Sequence, residues 1–269
     1  MSEESLLWLA AALGVVEGVT EFVPVSSTGH LILAGSWLAF PEDKAAAFEI
    51  FIQLGAVLAL LWFYRVKLWE IATALPRDVT VRVFVAKVLA AFLPAAAVGV
   101  VVHRWITRVL FAPLPVAVAL AAGGVAMIVL DRPHRRRDDT RTIEAVTWAQ
   151  ALAIGCVQVL SLWPGMSRAG TTIIGAMLVG LTRSAALEFS FFLAIPTLGA
   201  ASVFSLWGAR TELAVSDVRV FACGLAVSFV VSLVAIAGLL RYVRQNDLRP
   251  FGWYRIALAT LIVAGALFA

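Results

Sequence analysis

Apolar runs long enough to cross a bilayer, roughly 20 residues each, follow one another along this 269-residue chain, and no polar block of domain size separates them. Such a chain cannot surround itself with water: 62% of its residues are hydrophobic and only 14% charged, whereas a soluble domain carries about a quarter charged residues. A mean hydropathy of +0.95 agrees. The expectation is one all-α integral membrane domain over residues 1–269, not a soluble enzyme. A formal charge of +4 would suggest nucleic acid in a soluble protein, but here the basic residues sit between apolar runs, where topology accounts for them and no nucleic-acid partner is expected. Cys156 and Cys223 lack any CxxC or Cys/His spacing, so they are expected to be core residues, neither disulfide nor zinc ligands. The start, with Glu3 and Glu4 where a signal peptide has basic residues, is expected to be retained.

Six stretches make good transmembrane helices: residues 44–64, 83–102, 110–130, 184–207, 217–240 and 253–269. Two do not fit. Residues 5–40 and 143–181 are each too long for one span and too short for two. Each is broken midway, by Phe22-Val-Pro-Val-Ser-Ser-Thr-Gly-His30 in the first and Leu162-Trp-Pro-Gly-Met-Ser-Arg-Ala-Gly170 in the second. Proline and glycine stop a helix there. Opened backbone at membrane depth survives only when buried in protein or lining a wet cavity, so both stretches are expected to be re-entrant helical hairpins.

With that layout, fifteen basic residues fall on one face, among them Arg65, Lys67, Arg77, Arg132, Arg135, Arg136, Arg137, Arg241, Arg249 and Arg255. Five fall on the other, Lys44, Arg104, Arg108, Arg210 and Arg219, and Arg168 is left inside the membrane, which completes the 21. The positive-inside rule puts the first face in the cytoplasm and both termini outside. The first hairpin then opens outward and the second inward. An internal repeat supports this independently. Gly14-x-x-Glu17 recurs as Gly155-x-x-Gln158, Pro24 as Pro164, Ser26-Ser-Thr-Gly-His30 as Ser167-Arg-Ala-Gly-Thr171, and Ala47-Phe-Glu-Ile as Ala186-Leu-Glu-Phe, at offsets of 141, 140, 141 and 139. Repeat one covers about 5–130 and repeat two about 143–269. A hairpin plus three spans inverts the second copy, an inverted-topology architecture that many transporters share.

Ionisable groups at membrane depth are costly and therefore functional candidates. Glu17 and Glu21, four residues apart, share a helix face with Gly14 and Gly18, which leave room beside them. Two carboxylates so close call for a divalent cation or a shared proton. The following turn offers the hydroxyls of Ser26, Ser27 and Thr28 and the free N–H groups of a helix start, donors suited to phosphate. His30 has no capping duty there and can serve as base, acid or nucleophile. Arg168 lies on the other half-helix start, where the dipole disfavours a cation; an anion against it, or a pair with Glu17 or Glu21, would explain it. Ser167, Thr171 and Thr172 add donors. Glu49 and Glu188 occupy matching repeat positions, which fits a structural role as buried acids satisfying their own hairpins' backbone.

At these residues a resemblance becomes specific. Residues 17–30 and Pro164-Gly-Met-Ser-Arg-Ala-Gly-Thr-Thr172 resemble the two signature motifs of the bacterial undecaprenyl-diphosphate phosphatases, the bacitracin-resistance proteins, and the similarity extends over the whole chain, including Glu-Phe-Ser-Phe at 188–191. Met166 and Ala169 stand where other members often carry Phe and Ser; neither change removes a needed group. The resemblance implies an active site of Glu17, Glu21, Ser26, Ser27, His30, Ser167, Arg168 and Thr172. It implies hydrolysis of a polyprenyl diphosphate to the monophosphate and inorganic phosphate in the bacterial inner membrane, recycling the carrier for cell-wall synthesis from a site open to the periplasm. A Mg2+ or Ca2+ ion held by Glu17 or Glu21 would neutralise the diphosphate, and Ser27, His30 or a water would attack phosphorus. The sequence is also compatible with a homodimer. The rival is a transporter or flippase for a lipid phosphate on the same repeat. Against it stand Gln158, Leu162 and Thr171, which replace Glu17, Glu21 and His30 in the second copy, an asymmetry that alternating access does not need.

Overall fold

The computed structural model describes residues 2–131, 140–209 and 217–268, so Arg132, Arg135, Arg136, Arg137 and Arg210 lie outside the described residues. The described chain is helical: α1 (Glu3–Thr20), α2 (Ser27–Leu38), α3 (Glu42–Phe63), α4 (Arg65–Ala74), α5 (Val79–Val109), α6 (Pro113–Leu130), α7 (Trp148–Gln158, extended by a 3-10 turn at Val159–Leu162), α8 (Arg168–Leu178), α9 (Arg183–Ala209), α10 (Val218–Val243) and α11 (Arg249–Phe268). The starts follow local rules. Ser2 caps α1, with Glu3 and Glu4 in its first turn; Asp78 caps α5; Thr147 and Gln150 form a capping box on α7. Pro94 and Pro196 sit inside α5 and α9, which continue through them.

Four helices, α5, α6, α9 and α10, are long and apolar enough to cross a membrane, and α3 with α4 passes the same test as a pair bent by 68°. The stretches expected at 83–102, 110–130, 184–207 and 217–240 fall on those four helices, and the one expected at 44–64 falls on α3. The sixth, α11, is a 20-residue helix that carries arginine in its interior. The outer surface is apolar: Val101 is 82% exposed and Trp37 75%, a lipid-facing surface, since monomeric soluble proteins rarely expose contiguous apolar patches of more than a few hundred Å². Cys156 belongs to that exposed surface and Cys223 is half-buried, which corrects the expectation that both are core residues; both are free thiols.

α1 packs beside α2 and α7 beside α8, so each broken stretch is a helix–turn–helix hairpin. Each hairpin's first helix also packs on the other half of the chain, α1 against α10 and α7 against α5, and α6 packs on α11. The repeat-related Gly14 and Gly155 make those crossings close. A Cβ on Gly14 would stand 2.6 Å from the Gly224 carbonyl oxygen, and one on Gly155 would stand 2.4 Å from that of Ala91. Gly14 and Gly18 therefore make room for α10, not for a ligand beside the acids. Gly155→Ala is expected to destabilise the protein by about 1–3 kcal/mol, the usual cost of overpacking, because the obstacle is backbone that cannot rotate away; thermal unfolding in detergent measures it.

At the break between α3 and α4, Lys67 reaches Glu188 at 3.0 Å and Glu144 at 3.2 Å, tying the first repeat to the second. Burial works against the charged form of Lys67, yet the bonds from Glu188 and Glu144 hold its ammonium above the usual lysine value. The main core fills the space between the hairpins, where Phe22 meets Phe191 edge to face at 5.6 Å.

Candidate active site

The two turns are built alike at the atomic level. Ser26 (φ 75°) and Ser167 (φ 68°) both take the left-handed backbone that a non-glycine residue enters at a cost of about 1–3 kcal/mol. Each caps the helix that follows, the Ser26 Oγ accepting from the Gly29 N–H at 3.4 Å and the Ser167 Oγ from the Gly170 N–H at 3.1 Å. Each carbonyl accepts from the residue four on, His30 and Thr171. Two strained serines at related positions start two helices whose first N–H groups have no acceptor within the helix.

With Ser26 occupied as the cap, Ser27 is released for chemistry. Its hydroxyl donates to Glu21 Oε2 at 2.7 Å. The other Glu21 oxygen, Oε1, accepts from Arg168 Nη2 at 3.4 Å, an ion pair whose side chains are only 6% and 8% exposed. Arg168 also donates through Nη1 to the Ser190 carbonyl at 3.2 Å and hydroxyl at 3.4 Å, and its guanidinium lies 5.9 Å from the Phe22 ring centre. Thr172 completes the set, 2.6 Å from Ser190 Oγ. A hydroxyl, a carboxylate and a guanidinium thus stand in line across the two turns. Two buried polar atoms beside that line have no hydrogen-bond partner among the described residues: Glu17 Oε2, an acceptor, and Arg168 Nε, a donor.

Glu17 is 1% exposed and feels the charges of Glu21 and Glu49. An orphaned carboxylate oxygen among like charges fits a cation. No three His, Cys, Asp or Glu side chains converge on one point among the described residues. A divalent ion here would therefore bind Glu17, help from Glu21 being limited by its bonds to Ser27 and Arg168, and would complete its shell with phosphate or water oxygens.

His30 makes no side-chain hydrogen bond to this line among the described residues. Its Nδ1 is 2.7 Å from the Ser26 carbonyl, which can only accept, so the proton sits on Nδ1 and the Nε2 lone pair takes the Tyr254 hydroxyl, also at 2.7 Å. Thr171 spends its hydroxyl on the Ser167 and Arg168 carbonyls, and Thr28, half-buried, makes no hydrogen bond among the described residues. The two acids expected to satisfy their own hairpins' backbone make no side-chain hydrogen bond to it among the described residues. Glu188 is half-exposed and pairs with Lys67, and Glu49 is exposed with no hydrogen bond among the described residues. Ser26 and Ser167 cap the hairpin helices with their own hydroxyls, so neither acid is needed for those helix starts.

Sequence reasoning missed three residues. Ser190 belongs to the Glu-Phe-Ser-Phe segment but carries no charge to mark it. Tyr254 is an aromatic on an apolar helix. Arg255, counted among the cytoplasmic basic residues, is 1% exposed, and its guanidinium donates to carbonyls of both turns. Arg168 is accordingly not the sole buried arginine. The signal was present in the spacing: Arg255 falls two residues inside the apolar stretch 253–269, too deep for a loop.

Comparison with known proteins identifies the family. Residues 10–261 match the family model described as bacitracin resistance protein BacA. The chain is 50% identical to an undecaprenyl-diphosphatase of Sorangium cellulosum over 96% of its own length and 86% of that protein's. It is 46% identical to the undecaprenyl-diphosphatase of Nitrosomonas europaea over 97% and 95%, and 47% identical to undecaprenyl-diphosphatase 2 of Rhodospirillum rubrum over 97% and 95%. With both strained turns inside the matched region and nearly the whole length aligned, this chain belongs to the BacA bacitracin resistance family.

Proposed function

We propose that this protein hydrolyses undecaprenyl diphosphate to undecaprenyl phosphate and inorganic phosphate within the membrane. The observation that carries the reading is the hydrogen bond from Ser27 to Glu21, with Arg168 on the far side of the same carboxylate. A hydroxyl bonded to a base that a third group orients is the arrangement of an activated nucleophile. Ser27 Oγ forms a bond to the terminal phosphorus and Glu21 takes its proton, while the bond from that phosphorus to the bridging oxygen breaks and the lipid monophosphate leaves. Water then releases inorganic phosphate from the serine. Arg168, through the free Nε–H, and the N–H groups of both helix starts bind the phosphate oxygens, whose charge must be neutralised in phosphoryl transfer. Phosphate release by the purified protein in detergent tests the reading, since a transporter without a second compartment releases none; no observation in the structure favours transport.

A Mg2+ or Ca2+ ion at Glu17 would draw charge from the diphosphate when bound. Chelation is then expected to abolish turnover reversibly. Glu17→Gln, which keeps size and loses charge, is expected to raise the metal concentration for half-maximal rate by about tenfold or more. Wild-type turnover and metal response in Glu17→Gln would remove Glu17 from the ion's shell.

The full layout proposed is six spans, α3, α5, α6, α9, α10 and α11, with α1–α2 and α7–α8 re-entrant in inverted repeats. The site opens to the periplasmic side of the inner membrane and both termini lie outside. Moving Arg255 off the cytoplasmic face leaves the basic asymmetry intact. In a background with Cys156 and Cys223 replaced by serine, a cysteine at exposed position 77 is expected to resist an impermeant thiol reagent in intact spheroplasts. One at exposed position 108 is expected to react. The reverse pattern would invert the layout.

A further inference from the structure

A cation with no anion sits behind the site. Arg255 is 1% exposed and its guanidinium finds no carboxylate within salt-bridge distance among the described residues. Five backbone carbonyls receive it instead. Nε donates to Leu120 at 3.3 Å, Nη1 to Pro24 at 3.5 Å, and Nη2 to Ala119 at 3.3 Å, Gly165 at 3.0 Å and Met166 at 2.9 Å. Two of these belong to α6, one to the turn before Ser26 and two to the turn before Ser167. The seat is built for this group: a Cβ on Gly123 would stand 2.1 Å from Arg255 Nη2, and one on Gly170 2.9 Å from Nη1.

A buried charge is costly and stays only where other groups compensate it. Hydrophobic residues of like volume would often be at least as stable in such a place, so a packing role alone does not account for an arginine. What the arginine supplies is a fixed relation between two strained turns plus a positive charge at their rear. The peptides of the described residues are trans, and in a trans peptide the N–H points opposite to the carbonyl. The Met166 carbonyl aimed at Arg255 therefore sends the Ser167 N–H away from it. Among the described residues no acceptor meets that N–H. Hydrogen bonding of the carbonyl to a cation polarises the peptide and strengthens its N–H as a donor.

We infer that Arg255 is a positioning residue for the hydrolysis. It holds the Ser27 turn and the Ser167–Arg168 turn together through their carbonyls, and it charges the Ser167 peptide donor from behind without touching the diphosphate. This rests on the phosphatase reading above, which the wild-type assay and the Arg168 variants test separately.

The experiment compares purified wild type, Arg255→Lys, Arg255→Met and Gly123→Ala in detergent, with kcat and KM for a polyprenyl diphosphate, inhibition by inorganic pyrophosphate, and thermal unfolding. Lysine keeps the charge but cannot span five carbonyls. Methionine keeps bulk and loses the charge. Gly123→Ala leaves the arginine in the chain and evicts it from its seat. Arg255→Lys is expected to lower kcat by on the order of tenfold to thousandfold, the range for loss of a preorganised donor, with KM and pyrophosphate affinity within about threefold of wild type. Arg255→Met is expected to lose kcat similarly and to weaken pyrophosphate by about tenfold or more, since it alone removes the charge. Gly123→Ala is expected to lose kcat as the lysine variant does. Folded Arg255→Lys and Gly123→Ala with wild-type kcat would overturn the inference. So would activity losses matched, variant by variant, by loss of folded protein, which would make Arg255 a scaffold residue only.

Discussion

Arg168→Lys is expected to fail nearly as badly as Arg168→Ala, each losing on the order of tenfold to thousandfold in kcat, as for removal of an oxyanion-type donor. The guanidinium makes contacts in two directions at once, to Ser190 on α9 and to Glu21 at the end of α1, and keeps Nε–H free for a phosphate oxygen. An ammonium is a single point with three donors on a flexible stem and cannot hold both directions while meeting a third. A purely neutralising Arg168 gives the opposite pattern. Lysine then rescues turnover, and Arg168→Ala combined with Glu21→Gln unfolds at a higher temperature than Arg168→Ala alone, because the Glu21 charge is no longer buried without its partner. Turnover and melting temperature across the four proteins separate the cases, and near wild-type turnover in Arg168→Lys would remove the clamp.

Ser27→Ala is expected to lower kcat by on the order of a thousandfold or more, the scale seen when a hydrolase loses its nucleophile, with KM little changed because phosphate binding rests on Arg168 and the helix N–H groups. The structural cost is smaller, about 1–3 kcal/mol for the donor that Glu21 loses. Acid quench of wild type turning over substrate labelled on the terminal phosphate is expected to trap label on Ser27, and none on Ser27→Ala. A variant that keeps a tenth or more of wild-type turnover would hand the attack to water, with Glu21 as its base. Ser26→Ala is a useful contrast, since Ser26 caps α2 and does not meet Glu21.

The difference between those two serines shows where sequence stops. The motif places three hydroxyls in a row, and any of them can cap a helix or serve in chemistry. The positive φ at Ser26 turns its side chain onto the Gly29 N–H and leaves Ser27 facing Glu21. A backbone angle decides the assignment, and residue type does not announce it. His30 is similar. Its presence at a helix start was legible, but its partner Tyr254 is 224 residues away along the chain and reaches it only because α2 and α11 both pack on α6.

Much was determined by sequence alone. Apolar run length requires a membrane helical protein, because spanning backbone must satisfy its own hydrogen bonds. The Pro/Gly breaks mark two hairpin turns, and the offsets near 141 relate them. Charge at membrane depth singles out Glu17, Glu21 and Arg168 through the cost of burying it. Tertiary structure decided which of these meet and which stand apart: Glu21 reaches Arg168, whereas Glu188 reaches out to Lys67 and Glu49 keeps no hydrogen-bond partner among the described residues. It alone gave Arg255 its partners, since depth within an apolar stretch marks the residue but not what receives its charge. Only the space left by Gly123 on α6 and Gly170 on α8, elements distant in sequence, turns it into a buried tie between the two turns.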